Sequence, residues 1–150
     1  MLSFRPATPA DADTIAAHRY PAEADAPERP VYAGWVRGAL LSGSYQGRLA
    51  LSGTGEGAEV LAGAGLVWLD WGPVRGHPSP RRARLVNVWT RPDQRRRGLA
   101  RRLVLELLDL ARAGGAHAVT LGSTEEGRAL YGRLGFSPSD SEMALRLEPA

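Results

Sequence analysis

The sequence predicts an α/β (α+β) domain built on a mixed sheet, and three observations carry that prediction. Strand-type runs and helix-type runs alternate along the chain in the order strand, two helices, three strands, helix, strand, helix, strand. The strongest strand, "ARLVNVWT", feeds directly into the most periodic helix. The length of 150 residues, with 43% hydrophobic and 23% charged residues, suits one domain over 1–150 with a real core.

The elements follow in order. "LSFRPAT" (Leu2–Thr8) reads as an opening strand. Thr8 then has the form of an N-cap, with Pro9 at the first helical position and Asp11 three residues after the cap. "YPAEADAPERP" is rich in proline and acid and reads as a loop. "VYAGWVRGALLSG" (Val31–Gly43) is a broken helical pattern ending at glycine. "GRLALSG" and "AEVLAGAGLVWLD" are strands joined by "GTGEG", a hairpin, and "WGPVRGHPSPRR" (Trp71–Arg82) is a loop by its three prolines. After the strand Ala83–Thr90 the period changes. Leu99, Leu103, Leu107, Leu110 and Ala111 follow helical spacing, and "AGG" stops the helix. "HAVTLGS" is a strand, "STEEGRALYGRLGF" opens a helix with Ser123 and Glu126 as a capping box, and "EMALRL" closes the chain as a strand.

Composition excludes several chemistries. Without cysteine there is no disulfide framework and no thiolate nucleophile or metal ligand. His18, His77 and His117 are scattered without metal-ligand spacing, so no metal is expected. No apolar run reaches membrane length and the N-terminus lacks a signal design, so a cytoplasmic protein is expected, with no membrane partner. All 19 basic residues are arginine, and nine of them fall between Arg81 and Arg102. That local positive field points to a negatively charged partner.

Six of those arginines lie in "TRPDQRRRGLARRLV", Thr90 to Val104. A strand ends, a basic loop follows, and a helix begins at Gly98. The first amides of a helix lack intrahelical partners, and the dipole places positive charge there, which makes an anion site. A Walker loop is excluded because the chain has no lysine, and a dinucleotide loop because this one has a single glycine. The pattern Arg95-x-x-Gly98-x-Ala100, preceded by "NVWTRPDQR" and followed later by Tyr131-x-x-Leu-Gly-Phe136, resembles the GNAT superfamily of acyl-CoA-dependent N-acetyltransferases. The sequence-specific part of the resemblance runs from Asn87 to Phe136, and the element order agrees over nearly the whole chain.

The resemblance implies a mixed, mostly antiparallel sheet flanked by about four helices, with two splayed strands holding acetyl-CoA. Val88 and Thr90 would then offer backbone groups to the pantetheine arm, and an amide near Val88–Trp89 would stabilise the carbonyl oxygen. Amides from Arg96 through Arg101, that is Arg96, Arg97, Gly98, Leu99, Ala100 and Arg101, would wrap the pyrophosphate beside the Arg95 guanidinium. Tyr131 aligns with the tyrosine that protonates the departing thiolate. Thr124 stands where many relatives place a pantetheine-binding asparagine, and Ser123 and Thr124 also suit a helix cap. Dimers are common in the family, so a homodimer is compatible with it.

The implied activity is direct transfer of an acetyl or similar acyl group from the coenzyme to an amine of a small molecule or peptide. No general base is evident: "RARLVNVW" has no carboxylate or imidazole, Asn87 suits either a water-orienting or a structural role, and Asp70, His77 and Glu125 flank the strands. The acceptor pocket falls to regions holding Tyr20, Tyr32, Trp35, Trp68, Trp71 and Trp89. Glu23, Asp25 and Glu28 either attract a cationic amine or are solvated. Trp89, by strand alternation, faces away from Val88 and Thr90. Two other classes fit parts of the pattern. One is a coenzyme-binding module of the same fold without catalysis; the other is a nucleic-acid binder using the arginine cluster, which lacks the interleaved aromatics such binding needs.

Overall fold

The computed structural model describes residues 1–139 and 141–149. Its strands are β1 (Ser3–Pro6), β2 (Tyr45–Leu51), β3 (Val60–Asp70), β4 (Arg81–Thr90) and β5 (Val119–Thr120). Its helices are α1 (Ala12–Arg19), α2 (Arg29–Ser42), α3 (Leu99–Ala113) and α4 (Glu125–Arg133). The sheet order is β1-β2-β3-β4-β5, antiparallel throughout except for the parallel pair β4–β5. A mixed, mostly antiparallel sheet with four helices is the predicted fold class.

Each face of the sheet carries one layer of helix. The apolar stripe of α3 buries Leu99, Leu103, Val104, Leu107, Leu108 and Ala111 against Ala50, Leu66 and Leu85 of the sheet. A fully buried leucine contributes about 1.5–3 kcal/mol, so this stripe is the main anchor of the helix that follows β4. Leu110, expected on that stripe, stands at its rim at 36% exposure. On the other face, Ile15 and Ala16 of α1 and Val36 and Ala39 of α2 pack with Tyr45. Arg48 of β2 reaches over α3 to Glu106 at 2.7 Å.

The helix boundaries follow local chemistry. Thr8 N–H donates to the Asp11 carboxylate at 2.8 Å, and Arg5 forks onto the same carboxylate at 2.8 and 2.9 Å. That cap sits on a short 3-10 turn, Pro9–Asp11, ahead of α1. The acidic stretch expected as a loop forms a 3-10 run over Glu23–Glu28 instead, and α2 continues from it through Pro30. Short 3-10 turns tolerate the prolines because early helical positions need no N–H partner. The cap of α4 is Thr124, whose hydroxyl accepts from Gly127 N–H at 3.3 Å, so the expected Ser123–Glu126 box does not form.

The last expected strand is corrected. No residue described from Ser141 to Pro149 has regular structure, and all are exposed; Met143, Leu145 and Leu147 stand at 100%, 84% and 80%. The alternation in "EMALRL" is real, but a strand needs a neighbour, and within this chain it meets none among the described residues. Deleting the chain from Ser141 onward is therefore expected to leave the thermal midpoint within about 2 °C of the full chain, because lost burial sets such shifts. A larger drop in a melting scan would show that the segment carries stability.

Candidate active site

The site grows from one irregularity in β4. Asn87, alone in a run of β-branched and aromatic residues, has φ +56°, and β4 slips register against β3 there. Gly65 pairs with Val86 and Gly63 with Trp89, so β4 spends one more residue than β3 over that stretch, which is a bulge. Asparagine tolerates this left-handed conformation better than its neighbours would. Its side chain is fully used. Nδ2 donates to the hydroxyls of Tyr32 and Tyr45 at 2.8 and 3.0 Å, and Oδ1 accepts from Arg19 Nη1 at 3.2 Å. Tyr45 reaches it by crossing the face of Gly65, where any Cβ would collide with the tyrosine ring and hydroxyl. Burial pushes the Tyr45 phenol up, so it stays a hydrogen-bonding hydroxyl.

The bulge also switches which backbone groups face β5. Ala83 N–H donates to Ala118 across the β4–β5 gap, whereas Arg91 N–H donates to Leu61 on the β3 side. Counting back from Arg91 by alternation, Val88 and Thr90 present their backbone groups to the gap. β5 is paired along both its residues, Ala83↔Val119 and Arg84↔Thr120, and ends there, while β4 runs on to Thr90 and parts from the irregular chain that follows β5. An opening beside the last residues of β4 is thus present.

Beyond Thr90, a 3-10 turn at Pro92–Gln94 leads to Arg96, at φ +66°, and Gly98, at φ +75°. The first bond of α3 runs from Arg102 N–H to Gly98 O at 3.0 Å. The amides of Gly98, Leu99, Ala100 and Arg101 donate to no backbone oxygen among the described residues. These four donors stand at the positive end of a 15-residue helix, an arrangement open to an anion.

A cavity of about 710 Å³ opens along the gap. It brings together Val88, Trp89, Thr90, Arg95, Arg96, Thr124 and Tyr131 of the predicted residues. Arg97, Gly98, Leu99, Ala100 and Arg101 do not line it; they lie past its end, and the Leu99 side chain is buried in the core. Tyr131 is half-buried, edge-on to Phe136 at 5.8 Å, and its hydroxyl has no hydrogen-bond partner among the described residues. Burial pushes its phenol pKa up.

His18, Arg19, Glu126, Gly127 and Leu130 also line the cavity; the sequence offered His18 only as an isolated histidine and Glu126 only as a cap residue, and none of the five as a site residue. His18 stacks on Trp89 at 4.0 Å, and burial pushes its imidazole down to about 4. It is neutral throughout the physiological range. Trp89 faces away from Val88, as alternation predicted, and still reaches the cavity.

The other aromatic and acidic candidates divide. Tyr20 lines the cavity and Tyr32 and Trp35 pack behind it, but Trp68 bonds Gln46 at 2.8 Å and Trp71 is exposed near Arg82, both away from the site. Glu23, Asp25 and Glu28 are exposed and do not line the cavity. Asp70, His77 and Glu125 do not line it either, whereas Asn87 does, with both Nδ2 protons donated to Tyr32 and Tyr45 and Oδ1 accepting from Arg19.

Comparison with protein families matches residues 12–136 to the acetyltransferase (GNAT) family. A comparison with curated proteins gives no match. Among solved structures, a GCN5-related N-acetyltransferase from Ralstonia eutropha is 28% identical, with a TM-score of 0.85 over 98% of this chain and 99% of that one. A predicted acetyltransferase with acetyl-CoA from Clostridium acetobutylicum is 20% identical, with a TM-score of 0.86 over 97% and 96%. A ribosomal-protein-alanine N-acetyltransferase from Brucella melitensis shares the fold at 19% identity, with a TM-score of 0.66 over 99% and 100%.

Proposed function

Because the chain belongs to the GNAT acetyltransferase family, we propose that it transfers an acetyl group from acetyl-CoA directly to a primary amine. The observation that carries this reading is the parting of β4 from β5 beside a helix start with four unbonded amides. The gap suits a slender arm with amide groups, and the helix start suits its pyrophosphate. Val88 and Thr90 hold the arm through their backbone. The amides of Arg96 through Arg101 and the Arg95 guanidinium hold the pyrophosphate, with long-range help from the neighbouring arginines. The Thr124 hydroxyl caps α4 with its lone pair and keeps its proton for the pantetheine.

Acetyl-CoA supplies an acyl group on a thioester. The Val88–Trp89 backbone steadies the carbonyl oxygen as it gains charge. Tyr131 donates its proton to the sulfur as the carbon–sulfur bond breaks and the carbon–nitrogen bond forms. The attacking nitrogen releases its proton to water. A direct attack fits a chain without cysteine.

Acetyl-CoA calorimetry, followed by thiol release with a panel of amines, tests the reading. Binding with amine-dependent release supports transfer; binding without release leaves a coenzyme-binding module; no binding removes the coenzyme site. The pH profile is equally informative. His18 has lost its proton by about pH 4, and the raised Tyr131 phenol holds its proton above the ordinary phenol value of about 10. Neither changes charge between pH 6 and 9. The value of kcat/KM is therefore expected to rise about tenfold per pH unit and level off at the acceptor amine's own pKa. An inflection that stays fixed when the acceptor is changed would reveal an enzyme base.

A further inference from the structure

We infer that the acceptor amine carries an anionic oxygen group, a carboxylate or a phosphate, and that Arg19 holds it; this rests on the acetyl-transfer reading. Arg19 ends α1 and lines the cavity beside Tyr20, Asn87 and Trp89. It is the one cation in that part of the cavity wall among the described residues: the other lining arginines, Arg95 and Arg96, follow Thr90 on the basic loop. Across the bulge, Val86 to Thr90 spans three residues of β3, about 10 Å, and Arg19 meets Asn87 near the start of that span.

Three features make Arg19 a built receptor rather than a stray surface charge. Its position is fixed: Nη1 donates to Asn87 Oδ1 at 3.2 Å, and the guanidinium lies over the Tyr32 ring at 4.7 Å and near the Tyr20 ring at 5.6 Å. Asn87 is itself pinned at the bulge by Tyr32 and Tyr45. Its charge is unspent: Arg19 has no carboxylate partner among the described residues, whereas Arg5 and Arg37, on the same side of the sheet, are paired with Asp11 and Asp13. Finally, α1 and β4, the elements beside it, bring no carboxylate to the cavity among the described residues: His18 is neutral, the lining carboxylate Glu126 comes from α4, and the acidic stretch Glu23–Glu28 lies outside the cavity.

These features select against a simple alkylammonium. Such a cation would meet Arg19 with like charge, whereas an anionic group a few ångströms from the amine pairs with the guanidinium fork and leaves the nitrogen free to turn toward the thioester. The guanidinium is planar by its own delocalisation, and the Tyr20 and Tyr32 rings beside it limit its rotation, which suits two-oxygen recognition.

Two pairs of probes test the inference: L-phenylalanine against its primary amide, and O-phosphoethanolamine against ethanolamine. Binding is read by tryptophan fluorescence with coenzyme A saturating, since Trp89 lies at the site, and turnover is read separately by thiol release. In at least one pair the anionic member is expected to bind about tenfold or more tightly, and the pair that does so identifies carboxylate or phosphate. Arg19→Gln is expected to collapse that ratio to about one, and Arg19→Lys to restore part of it. Equal or weaker binding of both anionic probes, or a ratio that survives Arg19→Gln, overturns the inference. Selective binding without thiol release would instead leave the Arg19 site standing and count against acetyl transfer.

Discussion

Gly98→Val is expected to weaken acetyl-CoA binding by about 5- to 150-fold while the protein still folds, on a strain of about 1–3 kcal/mol for a side chain in the left-handed region. Gly98 sits at φ +75°, and a Cβ placed there would meet no atom within 4 Å. The penalty is therefore conformational and not a clash. Valine would relax by swinging φ negative, and that rotation re-aims the amides of Leu99, Ala100 and Arg101 that follow. The core face of α3 is untouched, so the loss falls on the anion site. Gly98→Asn is the control, because asparagine visits the left-handed region at lower cost and should keep most of the affinity. Calorimetry on both variants, with circular dichroism for folding, decides the matter. A folded valine variant that binds acetyl-CoA like the native chain would remove the helix start from the coenzyme site.

Tyr131→Phe carries the second large effect. Loss of a proton donor to the leaving sulfur is expected to lower kcat by about 10²- to 10⁴-fold. Acetyl-CoA affinity should change by less than about twofold, because the ring keeps its packing against Phe136 and over Gly127. A purely structural tyrosine would behave differently: its hydroxyl would have a partner to lose, and the melting temperature would fall with the activity. No such partner exists among the described residues, which is why kcat and stability are expected to separate. A phenylalanine variant with native kcat would rule Tyr131 out as the acid.

Much of the fold was legible because its signals are local. The 3.6-residue spacing from Leu99 to Ala111, the β-branched run before it and the glycine at position 98 each report on a few neighbouring residues. The last strand was not legible as placed, since alternation states that a segment can pair and not whether a neighbour is there. The site divides the same way. The succession of strand, basic loop and helix start could be read. The Arg19–Asn87 contact could not, because it spans 68 residues and depends on Tyr32 and Tyr45 arriving from elsewhere. One signal was available: asparagine is the residue in "LVNVW" that accepts a left-handed backbone, and a bulge there is its natural reading.

The parting of β4 from β5 has a colloidal consequence as well as a chemical one. Because β5 ends at Thr120 while β4 runs on to Thr90, β4 leaves a raw edge beyond Arg84, and raw edges recruit strands from other molecules. On the reading above, a bound coenzyme occupies that gap and covers the edge, so saturation with coenzyme shields the folded chain from its own neighbours. Between occupancies the shield is charge. Arg81, Arg82 and Arg84 begin β4, and Arg95, Arg96 and Arg97 follow its end, so two copies that approach edge to edge bring like charges together. The same arginines that draw the anionic ligand into the gap keep other chains out of it.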